Sequence, residues 1–287
     1  MTRLSDETGA PLLRIFHPSD FTKASEVAFA HALKLALESK AELEIMHVAR
    51  HLTESGGDVH WTDFPGVRAT LARWGILPVD APREAVAKTG MDVKKVVLEG
   101  SDPVQSIVQY CREHPPDLLV LATHQRDGLG RWLHKEVAEP VARRAHAMTL
   151  FVPHEGNGFI SPENGSVTLR RILIPVDHEP SAQQALEEAV SLATGLGSPQ
   201  VEFRLLHVGK EKPRPVLNLP DRPELRFAEC VVEGDVVERI LQEETEWTPD
   251  LMVLTTQGHR DFLDALRGST TERVVRGARC PVLAIPA

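Results

Sequence analysis

Residues 117–153, DLLVLATHQRDGLGRWLHKEVAEPVARRAHAMTLFVP, lie over residues 250–286, DLMVLTTQGHRDFLDALRGSTTERVVRGARCPVLAIP, at a constant offset of 133 positions with no gap. Upstream, LRIFHPSDFTKAS at 13–25 answers RRILIPVDHEPSA at 170–182, and IMHV at 45–48 answers LLHV at 205–208. A repeat of this period is a whole domain rather than a solenoid unit of about 20–50 residues. Any fold for this chain must therefore be one that can be built twice, over 10–154 and again over 168–287, and function has to be asked of each copy separately.

A chain of 287 residues allows each copy its own core. The formal net charge of −9 argues against a nucleic-acid surface, because phosphate backbones are bound by basic faces. No apolar run approaches the roughly 20 residues that span a bilayer, and the opening MTRLSDETGAPLLR lacks the apolar stretch of a signal peptide. Cys111, Cys230 and Cys280 are odd in number and widely spaced, the pattern of buried thiols in a reducing compartment. These features lead us to expect a soluble, cytoplasmic protein of two domains without membrane or nucleic-acid partners.

Within the second copy, the apolar runs at 170–175, 201–208, 228–233, 250–255 and 281–286 read as strands. Helical spacing appears over 181–194 and 235–247, and again from Thr270 to Gly277. Near-continuous apolar strands with helices between them mean a parallel sheet covered on both faces. Each copy is thus expected to be an open five-stranded doubly wound α/β sheet, flavodoxin-like or Rossmann-like. The last strands, 149–153 and 281–286, are expected at sheet edges, where unpaired backbone groups invite pairing. If the two edges meet, one chain takes the form of a dimer. The linker 154–166 has the Gly, Pro, Asn and Ser content of a surface loop. The first copy also carries an insertion within about 50–90. In its 61–78 segment, Asp63 precedes a short helix with Phe64, Val67, Leu71 and Trp74 at helical intervals. That stripe is read either as packing on its own domain or as a partner-binding face.

The segment after the fourth strand of the second copy concentrates the chemistry. Thr255, Gln257 and Gly258 open a loop that runs nine residues to Gly268 and Ser269, with Thr270 starting a helix. Glycine admits backbone close to a ligand, and a helix amino terminus offers free N–H groups and partial positive charge to an anion. Ligands of open parallel sheets bind beyond the carboxyl ends of the strands, where strand order reverses. Asp177, ending the first strand, belongs to that edge. Ser269 and Glu272 also fit a helix capping box, which explains the same residues without a ligand.

These residues resemble the universal stress protein family over both copies. Its nucleotide loop is Gly-x2-Gly-x9-Gly-(Ser/Thr); Gly258, Gly268 and Ser269 match, while Thr255 replaces the first glycine. IleLeuIleProValAsp (172–177), LeuLeuHisVal (205–208) and CysProValLeuAlaIlePro (280–286) match its first, second and last strands. The resemblance implies ATP or AMP in the second copy. Asp177 would meet the base or ribose, Val176 and Val208 would flank the adenine, and Gly258, Gly268, Ser269 and Thr270 would hold phosphates. Pro175, Thr255 and Gln257 complete the set. Mg²⁺ is implied alongside, with Asp261 and Asp264 in the loop. In the first copy the four loop positions are Ala122, Gln125, Lys135 and Glu136. A carboxylate then stands at the helix start, so no nucleotide is expected there.

Ten of the thirteen histidines fall in the first copy, which raises a metal site. His47 and His51 are four apart, but His47 closes a strand and no further ligands complete a set. Asp20 is expected to make local turn hydrogen bonds, and Cys280 to serve as a small core residue. No His–carboxylate relay orients the hydroxyls near Gly268, so a serine hydrolase is not expected. The expected function is a non-catalytic stress-response module binding nucleotide in its second copy. The alternatives are a nucleotide-free interaction protein acting through 61–78, or a slow ATP hydrolase, which needs a base and a fixed water that the sequence does not display.

Overall fold

A computed structural model describes residues 13–22, 24–49, 64–123, 135–154, 158–210, 215–256 and 270–287. The first copy runs β1 (Arg14–Pro18), α1 (Ala24–Ser39), β2 (Glu42–Ala49), α2 (Val67–Arg73), β3 (Asp92–Glu99), α3 (Pro103–Glu113), β4 (Leu118–Thr123), α4 (Lys135–Ala145) and β5 (Met148–Pro153). The second runs β6 (Arg171–Pro175), α5 (Gln183–Gly195), β7 (Val201–Val208), β8 (Leu225–Val232), α6 (Val236–Trp247), β9 (Leu251–Thr256), α7 (Thr270–Gly277) and β10 (Val282–Pro286).

All strands join one ten-stranded sheet in the order β3-β2-β1-β4-β5-β10-β9-β6-β7-β8. Pairing is parallel within each copy, and β5 meets β10 antiparallel with Leu283 opposite Leu150. The two edge strands therefore pair within one chain, as expected. Chain direction alternates side chains between the faces. Ile172 and Ile174 enter the core cluster of one face and Leu173 that of the other; Val253 and Met252 divide in the same way. One face is covered by α1, α2 and α5, the other by α3, α4, α6 and α7. Both clusters run through both copies without a break at the β5–β10 seam.

Sequence and structure differ in three places. The third strand of the second copy starts at Leu225, three residues before the expected Ala228. It is an edge strand, where Leu225 is buried, Phe227 stacks on Phe203 at 4.9 Å and Arg226 between them is exposed. That alternation is weaker than the continuous runs of the inner strands. The inserted helix begins at Val67 with Gly66 at its N-cap position, and Asp63 lies outside the described residues. Phe64, Val67 and Leu71 are buried in the core and Trp74 packs against it, so the stripe packs on its own domain.

The linker departs furthest from expectation. Phe159 and Ile160 are fully buried, and Ile160 forms an antiparallel bridge with Val167. Polar composition marked it as surface, but its two apolar residues are drawn beneath the first copy. The Phe159 N–H donates to His31 Nε2 at 3.2 Å, and the Trp74 indole N–H donates to the Pro162 carbonyl at 3.1 Å.

Candidate functional site

Aspartates set the strands that carry the site. Asp250 Oδ2 accepts from the backbone N–H groups of Arg170 and Arg171, both at 2.8 Å, which fixes the start of β6 against β9. Asp117 does the same for Arg14 in the first copy at 2.8 Å. Asp235 caps α6, accepting from Val237 and Glu238 at 3.1 Å each, as Asp102 caps α3 by accepting from Gln105 at 3.2 Å. Each interaction satisfies amides that a helix start or strand entry leaves without partners. β6, β7 and β9 thus end together at the carboxyl edge of the sheet, with the start of α7 beside them.

A cavity of about 320 Å³ opens at that edge. It is lined by Pro175, Val176 and Asp177 after β6, by Val208 at the end of β7, by Thr255 of β9 and by Thr270 of α7. Six of the ten positions named from sequence meet here. The other four, Gln257, Gly258, Gly268 and Ser269, lie outside the described residues, as do Asp261 and Asp264. Val176 is buried and Asp177 is exposed, its Oδ1 accepting from the His178 N–H at 2.7 Å. Thr255 Oγ1 is buried with no hydrogen-bond partner among the described residues. A buried hydroxyl in that condition is costly by roughly 1–3 kcal/mol, so it marks a place where an acceptor or donor is wanted.

The cavity contains residues that the sequence reading did not include. Thr256, Thr271 and Glu272 extend the second-copy wall, and Glu139, Ala142, Arg143, Thr149 and Phe151 enter from the first copy. The expected meeting of the two edge strands was the signal for the latter group, since it brings α4 and β5 alongside β10. Glu272 is buried and ion-paired with Arg276, while its expected capping partner Ser269 is not among the described residues. Arg276 also reaches Glu139 across the seam, Nε to Oε1 at 3.0 Å and Nη2 to Oε2 at 2.9 Å. That bidentate contact holds its guanidinium above the ordinary arginine range.

Elsewhere the titratable groups serve the fold. Asp20 Oδ1 accepts from Thr22 N–H at 3.0 Å and Thr22 Oγ1 at 2.7 Å, the local turn expected of it. His47 places Nδ1 2.8 Å from the Ser19 carbonyl, and its counterpart His207 stands 3.1 Å from the Val176 carbonyl. His51 lies outside the described residues. No group of three or more His, Cys, Asp or Glu among the described residues could hold a metal ion. Burial pushes the Cys111 thiol up to about 12 and lifts Cys280 well above its usual value, helped there by Glu244. Both are poor nucleophiles at neutral pH. Burial also lowers His17 and His31 to about 4, against weaker raising effects from the carbonyls of Val120 and Val27 respectively. No helix among the described residues is long and apolar enough to cross a membrane.

The chain matches the universal stress protein family over residues 13–153 and again over 168–286. A universal stress protein of Methanocaldococcus jannaschii is 29% identical over 149 residues, covering 48% of this chain and 81% of the relative. Among solved structures, a universal stress protein from Archaeoglobus fulgidus superposes with a TM-score of 0.60 at 15% identity, covering 95% of this chain and 98% of its own. A functionally unknown protein from Pseudomonas aeruginosa does so with a TM-score of 0.60 at 13% identity, over 96% of this chain and 92% of its own. At those identities the likeness speaks for the fold. With two family segments in one chain and one continuous sheet between them, this protein belongs to the universal stress protein family as a tandem member.

Proposed function

We propose that this protein is a non-catalytic stress-response module that binds one adenine nucleotide, ATP or AMP, in its second copy. The observation that carries the reading is the convergence of Pro175, Val176, Asp177, Val208, Thr255 and Thr270 on one cavity. They come from four separate stretches of the chain. The cavity volume, about 320 Å³, falls within the range of small-molecule sites. Its wall divides into apolar surface from Val176 and Val208 and polar groups from Asp177, Thr255 and Thr270. Such a division suits a flat apolar base joined to a hydroxylated, anionic tail.

In this reading Val176 and Val208 hold the base, Asp177 accepts from ribose hydroxyls, and the start of α7 faces the phosphates. Thr255 supplies its buried hydroxyl as a hydrogen-bonding group where the family loop has glycine. The first copy serves as scaffold. Its Asp20 is committed to Thr22, and Glu136 occupies the helix position where a phosphate would sit. The 61–78 stripe is spent on core packing, which leaves its four apolar residues little surface for a partner.

The test is to denature freshly purified protein and assay released adenine nucleotide by mass spectrometry, beside a Ser269→Glu variant. About one nucleotide per chain, lost in the variant, is the expected result. An empty wild type that also ignores added ATP and AMP in calorimetry would defeat the proposal.

A further inference from the structure

Arg143 is where the two copies cease to be equivalent. The repeat pairs Glu139 with Glu272 and Arg143 with Arg276. Arg276 takes both carboxylates, hydrogen-bonding Glu139 through two nitrogens and ion-pairing with Glu272 one turn back along α7. Arg143, on α4, and Glu272, in the first turn of α7, line the same cavity. With both carboxylates engaged by Arg276, Arg143 makes no ion pair among the described residues, and its Nε is buried without a hydrogen-bond partner.

A guanidinium near the carboxyl end of a helix is ordinarily explained by the helix dipole. That explanation leaves a buried N–H without an acceptor, which is the costly part of the arrangement. Arg143 also lines the cavity of the second copy. Among the described lining residues it is the one cationic side chain, against Glu139, Asp177, Glu179 and Glu272. Glu139 and Glu272 are offset by Arg276, while Asp177 and Glu179 follow β6. Thr255 adds a second buried polar atom without a partner in the same wall. A guanidinium can only donate and a hydroxyl is able to, so together they suit an oxygen-rich anion.

We infer that Arg143, carried by the first copy, receives the phosphate of a nucleotide bound in the second copy, so that both halves of the chain build one site. This inference rests on the nucleotide reading of the cavity. It gives the first copy a direct part in binding and explains how a predominantly acidic wall accepts an anion.

The experiment is isothermal titration of AMP, ATP and adenosine into the full chain and into Arg143→Ala and Arg143→Lys, with thermal melts to confirm that each variant is folded. Loss of a charge-assisted contact predicts a roughly ten- to hundred-fold weaker Kd for AMP or ATP in Arg143→Ala. Adenosine binding should stay unchanged, and lysine should restore part of the loss. Equal weakening of adenosine and nucleotides would overturn the inference by making Arg143 structural. Unchanged nucleotide binding in Arg143→Ala would overturn it while leaving the nucleotide site intact. A wild type that binds none of the three would remove the nucleotide reading and this inference with it.

Discussion

Glu244 sits buried at the entrance to β10, and its Oε1 accepts from the backbone N–H groups of Arg279 at 2.6 Å and Cys280 at 2.7 Å. The equivalent position in the first copy is Cys111, so that position offers no carboxylate there. Glu244→Ala leaves the buried Cys280 amide and the part-buried Arg279 amide without their acceptor, and we expect a loss of about 2 kcal/mol in urea unfolding. A loss below about 0.5 kcal/mol would contradict this role. His17 offers a pH signature. Its Nδ1 lies 2.9 Å from the Val120 carbonyl, and its Nε2 is buried with no partner among the described residues. With the folded value lowered to about 4 from 6.5, the unfolded chain binds more protons between those pH values, so His17 makes stability fall as pH drops from 6.5 toward 4. Its share is about 3 kcal/mol at the lower end. His17→Ile, the counterpart residue at Ile174, should flatten the slope of unfolding free energy against pH in that window by close to one proton. A variant with the wild-type slope would show that His17 does not titrate there.

At the scale of elements, the insertion and the linker act as one unit. Trp74, just after α2, covers Gly165 so closely that a Cβ there would stand 2.5 Å from the indole Cδ2, and Gly165 has φ +69°. Gly75 has a similar φ of +74° but open space around it. Both substitutions to alanine incur left-handed strain of about 1 kcal/mol, and only Gly165→Ala adds the collision. We expect the Gly165 variant to lose at least twice as much stability as the Gly75 variant in parallel chemical denaturation, and equal losses would refute the Trp74 contact. The helical stripe of the insertion was legible because Phe64, Val67, Leu71 and Trp74 recur at the interval that places them on one face. The burial of the linker was not legible. Phe159 and Ile160 are two apolar residues among glycines, asparagines and a proline, and nothing local says that His31, distant in sequence, meets Phe159 or that Trp74 meets Pro162.

For the whole molecule, the seam between β5 and β10 decides how the chain behaves. Leu150 and Leu283 face each other in register and enter one core cluster, while Phe151 and Val282 enter the other. Two clusters that both cross the seam couple the halves, so calorimetry should record one unfolding transition, with loss of both copies together. Leu283→Asp puts a carboxylate at a buried register position and should destabilise the chain by more than about 4 kcal/mol. Two resolved transitions in the wild type would mean that the halves fold independently.

That a domain is built twice, and that each copy is a parallel sheet with helices between its strands, could be read from the chain alone. These follow from local periodicity and from a repeat at fixed offset, which are properties of the chain read along its length. Pro175, Val176, Asp177, Val208, Thr255 and Thr270 could be named one by one because the resemblance to the family carries its motif onto those positions. That first-copy residues enter the second-copy cavity, and that among the described residues Arg276 takes both glutamates while Arg143 takes neither, came only with folding. The cavity wall and the Arg276–Glu139 contact join groups more than 100 residues apart, and Arg276 adds Glu272 one turn back on its own helix. Two copies of one motif specify the same local fold, but which of them keeps the ion pairs is settled only where they meet.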